Sequence, residues 1–234
     1  MTHARTPTAV DTAADAYLDA WLAHDPIVAT GMGVAGYDDQ LPSLDPDWLA
    51  TGSELRRDVV RELARIPATD TNDRITVAAL TDEVDAVEAV RATGAEESDV
   101  KNIGSPVQLV RDVFDLMPTA SVDNWAVIAR RLTQVPMAIT GYTASLRLAA
   151  SRGDVRARRQ IEAAIRHSED NVGTDGFFEL NTSYNQTRTS AGFSIANATK
   201  RALTASTVSE SALLGAALAC SAPAMGPPNT ARYS

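Results

Sequence analysis

The sequence predicts an all-α protein, a multi-helix bundle, and three observations carry that prediction. Apolar residues recur at three- and four-residue spacing in run after run, as in Trp125, Ile128, Leu132 and Val135, which sets them on one face of a helix. No run of alternating β-branched residues stands between turn signals. Aromatic residues make up only 5% of the chain, while alanine is abundant, a composition suited to close helix-on-helix packing.

Taken in order, the first helix is expected over residues 11–24, with Ala14, Tyr17, Leu18, Trp21 and Leu22 on one face. Asp25-Pro26 ends it, because the residue before a proline disfavours the helical region. Two prolines and three glycines between Pro26 and Pro42 predict a structured connection or a short helix and turn. Asp45-Pro46 is a cap and first-turn pair for a second long helix, reaching about Ile66. Its Leu49, Val59, Leu63 and Ile66 point inward, and Arg56, Arg57, Asp58, Arg61 and Glu62 point outward. A third helix starts near residues 70–73 and turns Val77, Leu80, Val84 and Val87 to the core. Residues 94–104 form a polar loop. Ser105-Pro106 opens a shorter helix with Val107, Val110, Phe114 and Met117 inward.

Residues 121–153 read as two helical runs joined at Pro136, which lacks an N–H and clashes with the turn before it. Ser121 is the expected N-cap, Asp123 favours the helix dipole, and Gly153 is the left-handed stop. Ile139, Tyr142, Leu146 and Ala149 continue the apolar stripe of the first run. A last helix is expected from a cap at Asp154 through Ile161 and Ile165.

The charge balance divides the chain. Residues 1–179 carry a net charge of −12 and residues 180–234 a net of +3, within a total of −9. The expected organisation is a disordered N-terminus over 1–10 and a helical subdomain over 11–179. Residues 180–234 form a low-charge tail, poorly ordered or weakly helical. The acidic total argues against nucleic acid as a partner, since phosphate binding needs a basic face. The longest apolar run, residues 212–220, is half of what a bilayer span needs, at about twenty residues. No membrane partner is expected, and with no secretory leader visible the reading is cytoplasmic. One cysteine, Cys220, excludes an internal disulfide and a multi-cysteine zinc site.

Several short motifs have chemical spellings, and each has a plainer explanation. Gly31-x-Gly33-x-x-Gly36 matches the dinucleotide fingerprint, but that motif works only between a strand and a helix N-terminus. Here a helix precedes it and prolines follow, so a tight inter-helix turn fits better. His167-Ser168-Glu169 has the deaminase H-x-E order without its P-C-x-x-C partner. A histidine near a helix C-terminus suits the dipole instead. Asp38-Asp39 and Asp45-x-Asp47 read as surface and capping carboxylates. Of Arg130-Arg131, a candidate anion pair, one covers the outer helix face. The sequons at Asn181, Asn185 and Asn197 reflect local Asn, Ser and Thr enrichment, twelve of the twenty-seven residues from 180 to 206. No catalytic, cofactor-binding or metal-ligating residue is assigned, and no cofactor is expected in this chain.

Ordered segments of the sequence resemble a bacterial family, the domain of unknown function 885. They are Tyr17-Leu18, Pro26-Ile-Val-Ala-Thr-Gly-Met-Gly, Tyr37-Asp-Asp-Gln-Leu-Pro42, Asp73-Arg74-Ile75 with Leu80, and Gly104-Ser-Pro-Val-Gln-Leu-Val. Strongest is Ala129-Arg-Arg-Leu-Thr-Gln-Val-Pro136, followed by Leu146-Arg-Leu148, Gly153 and Gly173-Thr-Asp-Gly-Phe-Phe178. The resemblance covers about residues 10–180, and none of its motifs is catalytic. It implies the N-terminal helical subdomain of a larger zinc-metallopeptidase-like fold, covering one side of an active-site cleft. Zinc is expected only in full-length relatives, bound through a His-Glu helix motif in their C-terminal half. This sequence contains no His-Glu dipeptide, so no ligand carries over. The expectation is a truncated, catalytically inactive family member. Family-like sequence would end between Phe178 and Leu203, with altered or out-of-frame coding beyond. The alternative is a free-standing helical interaction or oligomerisation module, self-associating through an exposed apolar face.

Overall fold

The computed structural model describes residues 5–101 and 103–172. Among them it is all-helical, with eight α-helices, one 3-10 turn and no strand. The helices are α1 (Ala9–His24), α2 (Pro26–Gly31), α3 (Pro46–Leu63), α4 (Thr71–Arg91), α5 (Pro106–Asp112), α6 (Val122–Leu132), α7 (Val135–Ser151) and α8 (Arg158–Val172). The 3-10 turn, Val113–Leu116, tightens the end of α5.

Capping sets most of these boundaries. Thr8 starts α1 two residues earlier than expected, because its hydroxyl accepts from Asp11 N while the Asp11 carboxylate accepts from Thr8 N. Residues 5–10, expected to be disordered, are therefore tied into the fold. Residues 1–4 lie outside the described residues. Asp25, Asp45 and Asp70 cap α2, α3 and α4 through their carboxylates. Ser121 and Asn124 close a capping box on α6. The expected cap at Asp154 is not one: α8 starts at Arg158, and the Asp154 carboxylate accepts from Ser98 Oγ at 2.8 Å instead.

The chain restarts at Thr133–Gln134 rather than at Pro136, which sits in the first turn of α7. A proline costs nothing there, where its missing N–H would have no intrahelical partner. Gly153 takes φ +83°, as the left-handed stop requires.

Two apolar clusters hold the molecule. Val10, Ala13, Val59, Leu63 and Val84 join α1, α3 and α4. The larger cluster gathers Val110, Phe114, Trp125, Ile128, Leu132, Ile139 and Tyr142 with Leu41 and Leu44 of the loop before α3. The stripe predicted along α6 and α7 is its spine. Contacts of α3 with α7 and of α1 with α2 bring the two halves together. Gly141 makes the first approach close: a Cβ there would lie 1.9 Å from Ser43 O.

Candidate functional site

One buried polar construction is a clamp in which α6 grips the connection from Asp25 to Pro42. Arg131 follows Ile128 by three residues, so α6 carries it inward beside the apolar stripe, and its side chain is fully buried (0% exposed). Its Nε donates to Gln40 O at 2.8 Å. Nη2 donates to Pro26 O at 3.0 Å, Thr30 Oγ1 at 2.9 Å and Tyr37 O at 3.4 Å. Thr30 Oγ1 also reaches Asp38 Oδ1 at 2.8 Å. Gln134, one turn on, accepts from Leu41 N at 3.0 Å and donates to Asp39 O at 2.5 Å. Arg130 stays exposed and pairs with Asp39 across 3.2 Å.

The clamp brings together three segments that are far apart in sequence, residues 26–33, 37–42 and 129–136. These are among the segments that carry the family resemblance. Their shared role is structural: a buried guanidinium replaces water for the carbonyls of an irregular connection, which would otherwise be buried without donors. Burial pushes the Arg131 guanidinium below its ordinary value, opposed by Asp38, Asp39 and Asp25. Burial likewise raises the Asp25 carboxyl, against the Val28 and Ile27 N–H groups that it caps. Arg131 Nη1 has no hydrogen-bond partner. Those three carboxylates around the guanidinium disfavour an anion there.

The glycine motif belongs to the same connection. Gly33 and Gly36 take φ +73° and +99°, so they serve the turn. Gly31 ends α2 rather than opening a helix, and the N–H groups of Gly33 and Val34 bond back to Thr30 O and Ala29 O. No helix opens on these glycines to aim its N–H groups at a pyrophosphate, since the next helix starts only at Pro46. Asp45 caps α3, accepting from Trp48 N at 2.7 Å, and Asp47 lies exposed in the first turn. His167 lies on α8 with its Nε2 buried and unpartnered, rather than solvated, and Ser168 Oγ donates to Ala164 O. Among the described residues, no group of three or more His, Cys, Asp or Glu could hold a metal ion. No described helix is long and apolar enough to cross a membrane. Asn181, Asn185, Asn197 and Cys220 lie outside the described residues, as does the tail expected over 180–234.

A second ionic cluster sits between α3 and α4, and the sequence reading missed it. Arg56, expected on the outward face, is buried. Its Nε pairs with Glu88 Oε1 at 2.8 Å and its Nη2 with Glu96 Oε1 at 3.4 Å, while its guanidinium lies 5.5 Å from the Trp21 ring centroid. Ser53 Oγ donates to Glu88 Oε2 at 2.6 Å. Burial tends to raise Glu88, but Ser53 and Arg56 hold it below its ordinary value. Glu96 is raised by burial, against Arg56 and Arg91. Beside this cluster the His24 ring stacks on Trp48, centroids 4.9 Å apart and planes 10° apart. Burial, then Arg56, lowers the His24 value. The overlooked signal is Gly52-Ser53, one turn before Arg56: small residues open the gap that a large side chain fills. A Cβ on Gly52 would come within 2.9 Å of His24 Nε2.

No curated protein matches the chain. The model of a family described as a bacterial protein of unknown function (DUF885) matches residues 26–222. That match begins and ends later than the resemblance read over residues 10–180, and it continues through the interval Phe178–Leu203 where family pattern was expected to stop. With the match covering most of the sequence, and the clamp uniting segments that mark the same family, the chain belongs to the bacterial family DUF885.

Proposed function

We propose that this chain is a non-catalytic helical scaffold of its family. It corresponds to the N-terminal subdomain that, in full-length zinc-metallopeptidase-like relatives, lines one side of the active-site cleft. By itself it hydrolyses no peptide. One observation carries this reading. Three of the segments marking the family converge on the Arg131 clamp, whose side chains spend their hydrogen bonds on holding backbone. A general base needs a proton within reach on a substrate, and a metal needs open ligands. The polar groups of the clamp, Arg131 Nη1 apart, instead face one another.

Peptidase activity of the purified full chain, measured with and without added zinc, tests the reading. The expected result is no hydrolysis above background in either condition. Hydrolysis that appears with zinc and disappears with a chelator would overturn it.

Exposed apolar residues away from α4, Ile103, Leu116 and Val122, favour a second reading, a free-standing interaction module. Cooperative melting of the full chain as a monomer supports the module. A molten or aggregated state supports the scaffold that needs the rest of its fold.

A further inference from the structure

At twenty-one residues α4 is the longest described helix, yet Asp73 and Val84 are its only buried residues. Val77, Leu80 and Val84 face α1 and α3. At 3.6 residues per turn the opposite side collects Ile75, Ala79, Ala86 and Val90, flanked by Ala78 and Ala89. All six are exposed, Ile75 at 61% and Val90 at 55%. A surface helix ordinarily turns polar residues outward. Between Ile75 and Val90 the outward face is apolar except for Asp82 at its middle, with exposed Glu83 and Asp85 on its flanks, while exposed Thr71 and Asn72 make its first turn polar; among the described residues no ion pair engages any of the three acids.

The occupant must cover apolar surface and answer three carboxylates. A second copy of α4 fails the second condition. Packed antiparallel about its centre at residue 81, it would bring Asp82 and Glu83 within about one turn of their own copies, and like charges so close repel. The rest of this chain meets both. Residues 173–222 fall within the family match but outside the described residues. They contain Lys200-Arg201, followed by Ala202-Leu203, Val208 and Ala212-Leu213-Leu214, and the only acid from 180 to 234 is Glu210. The stretch from Val172 to Lys200 can span up to roughly 90 Å when extended, so reach is no obstacle.

We propose that the outer face of α4 is the docking surface for residues 200–220 of the same chain, with Lys200 and Arg201 set against Asp82, Glu83 and Asp85. Cys220, the sole cysteine, supplies the probe. The full chain is labelled there with a benzophenone maleimide and irradiated, and the cross-linked peptides are mapped by mass spectrometry. Intramolecular cross-links into residues 71–91 are expected. The exposed triple substitution Asp82→Lys, Glu83→Lys, Asp85→Lys should lower their yield by roughly threefold or more, as the loss of favourable pairs and the gain of repulsion require. Cross-links confined to other helices, cross-links between two chains, no cross-link at all, or a yield indifferent to the triple substitution would each overturn the proposal.

Discussion

Arg131 is buried because α6 has a place for it only on the inside and the 25–42 connection has carbonyls that need donors. Its planar fork serves acceptors on Pro26, Thr30, Tyr37 and Gln40 at once. Arg131→Ala should lower stability by about 3 kcal/mol, since buried carbonyls lose donors and gain no water. Arg131→Lys should lose nearly as much, because one ammonium cannot reach acceptors arranged around a guanidinium. The neighbouring Arg130→Ala removes an exposed pair and should cost less than about 1 kcal/mol. Urea melts of the three variants check this order, and equal losses at 130 and 131 would refute it. The doublet Arg130-Arg131 was legible as one outer and one other arginine. Which of them went inside depended on the 25–42 backbone, more than ninety residues away in sequence.

Among the elements, helix starts were the most legible feature. Ser121, Asp45 and Asp70 cap where a short side-chain oxygen precedes an apolar run, which is a local matter of one turn. Asp154 misled because its carboxylate found Ser98, fifty-six residues earlier, and a long-range partner outcompeted the local cap. The contact of α7 with the 43–45 backbone was not legible, since Gly141 reads in sequence as a weak spot in a helix. It is where the helix and Ser43 O approach too closely for a Cβ. Gly141→Ala should therefore destabilise by about 2 kcal/mol or more, although alanine favours the helix by about 1 kcal/mol. A thermal melt that rises for this variant would contradict the close approach.

For the molecule as a whole, the N-termini of α1 and α4 are stapled by one arginine. Arg5 pairs with Asp11, Asp70 and the fully buried Asp73, and Thr8 Oγ1 and Thr69 add hydrogen bonds to Asp73 at 2.8 and 2.7 Å. Burial by itself would raise the Asp73 carboxyl, but the Thr69 backbone and hydroxyl, then Thr8 and Arg5, bring it down to about 2. A carboxyl lowered in the folded state contributes its stability above the ordinary value of 3.8 and loses it as pH falls through about 2. Asp25 and Glu96, raised by burial, work in the opposite sense and are relieved by acid. Arg5→Ala should raise the Asp73 value and move the acid-unfolding midpoint, followed by circular dichroism, to higher pH. An unchanged midpoint would mean that Arg5 is not part of the staple.

The sequence by itself determined the all-helical class, the helix starts at Asp45, Ser105 and Ser121, the apolar spine of α6 and α7, and the family. Each depends on residues within a few turns of one another, or on the order of short motifs. Tertiary structure decided where the charges went. Arg131, Arg56 and Asp73 entered the interior because distant backbone and side chains supplied their partners there. The outer face of α4 stayed open because no described element covers it. Helical periodicity marks the face that packs on near neighbours. A second apolar face shows only once the first is occupied, and that is how α4 came to stand out.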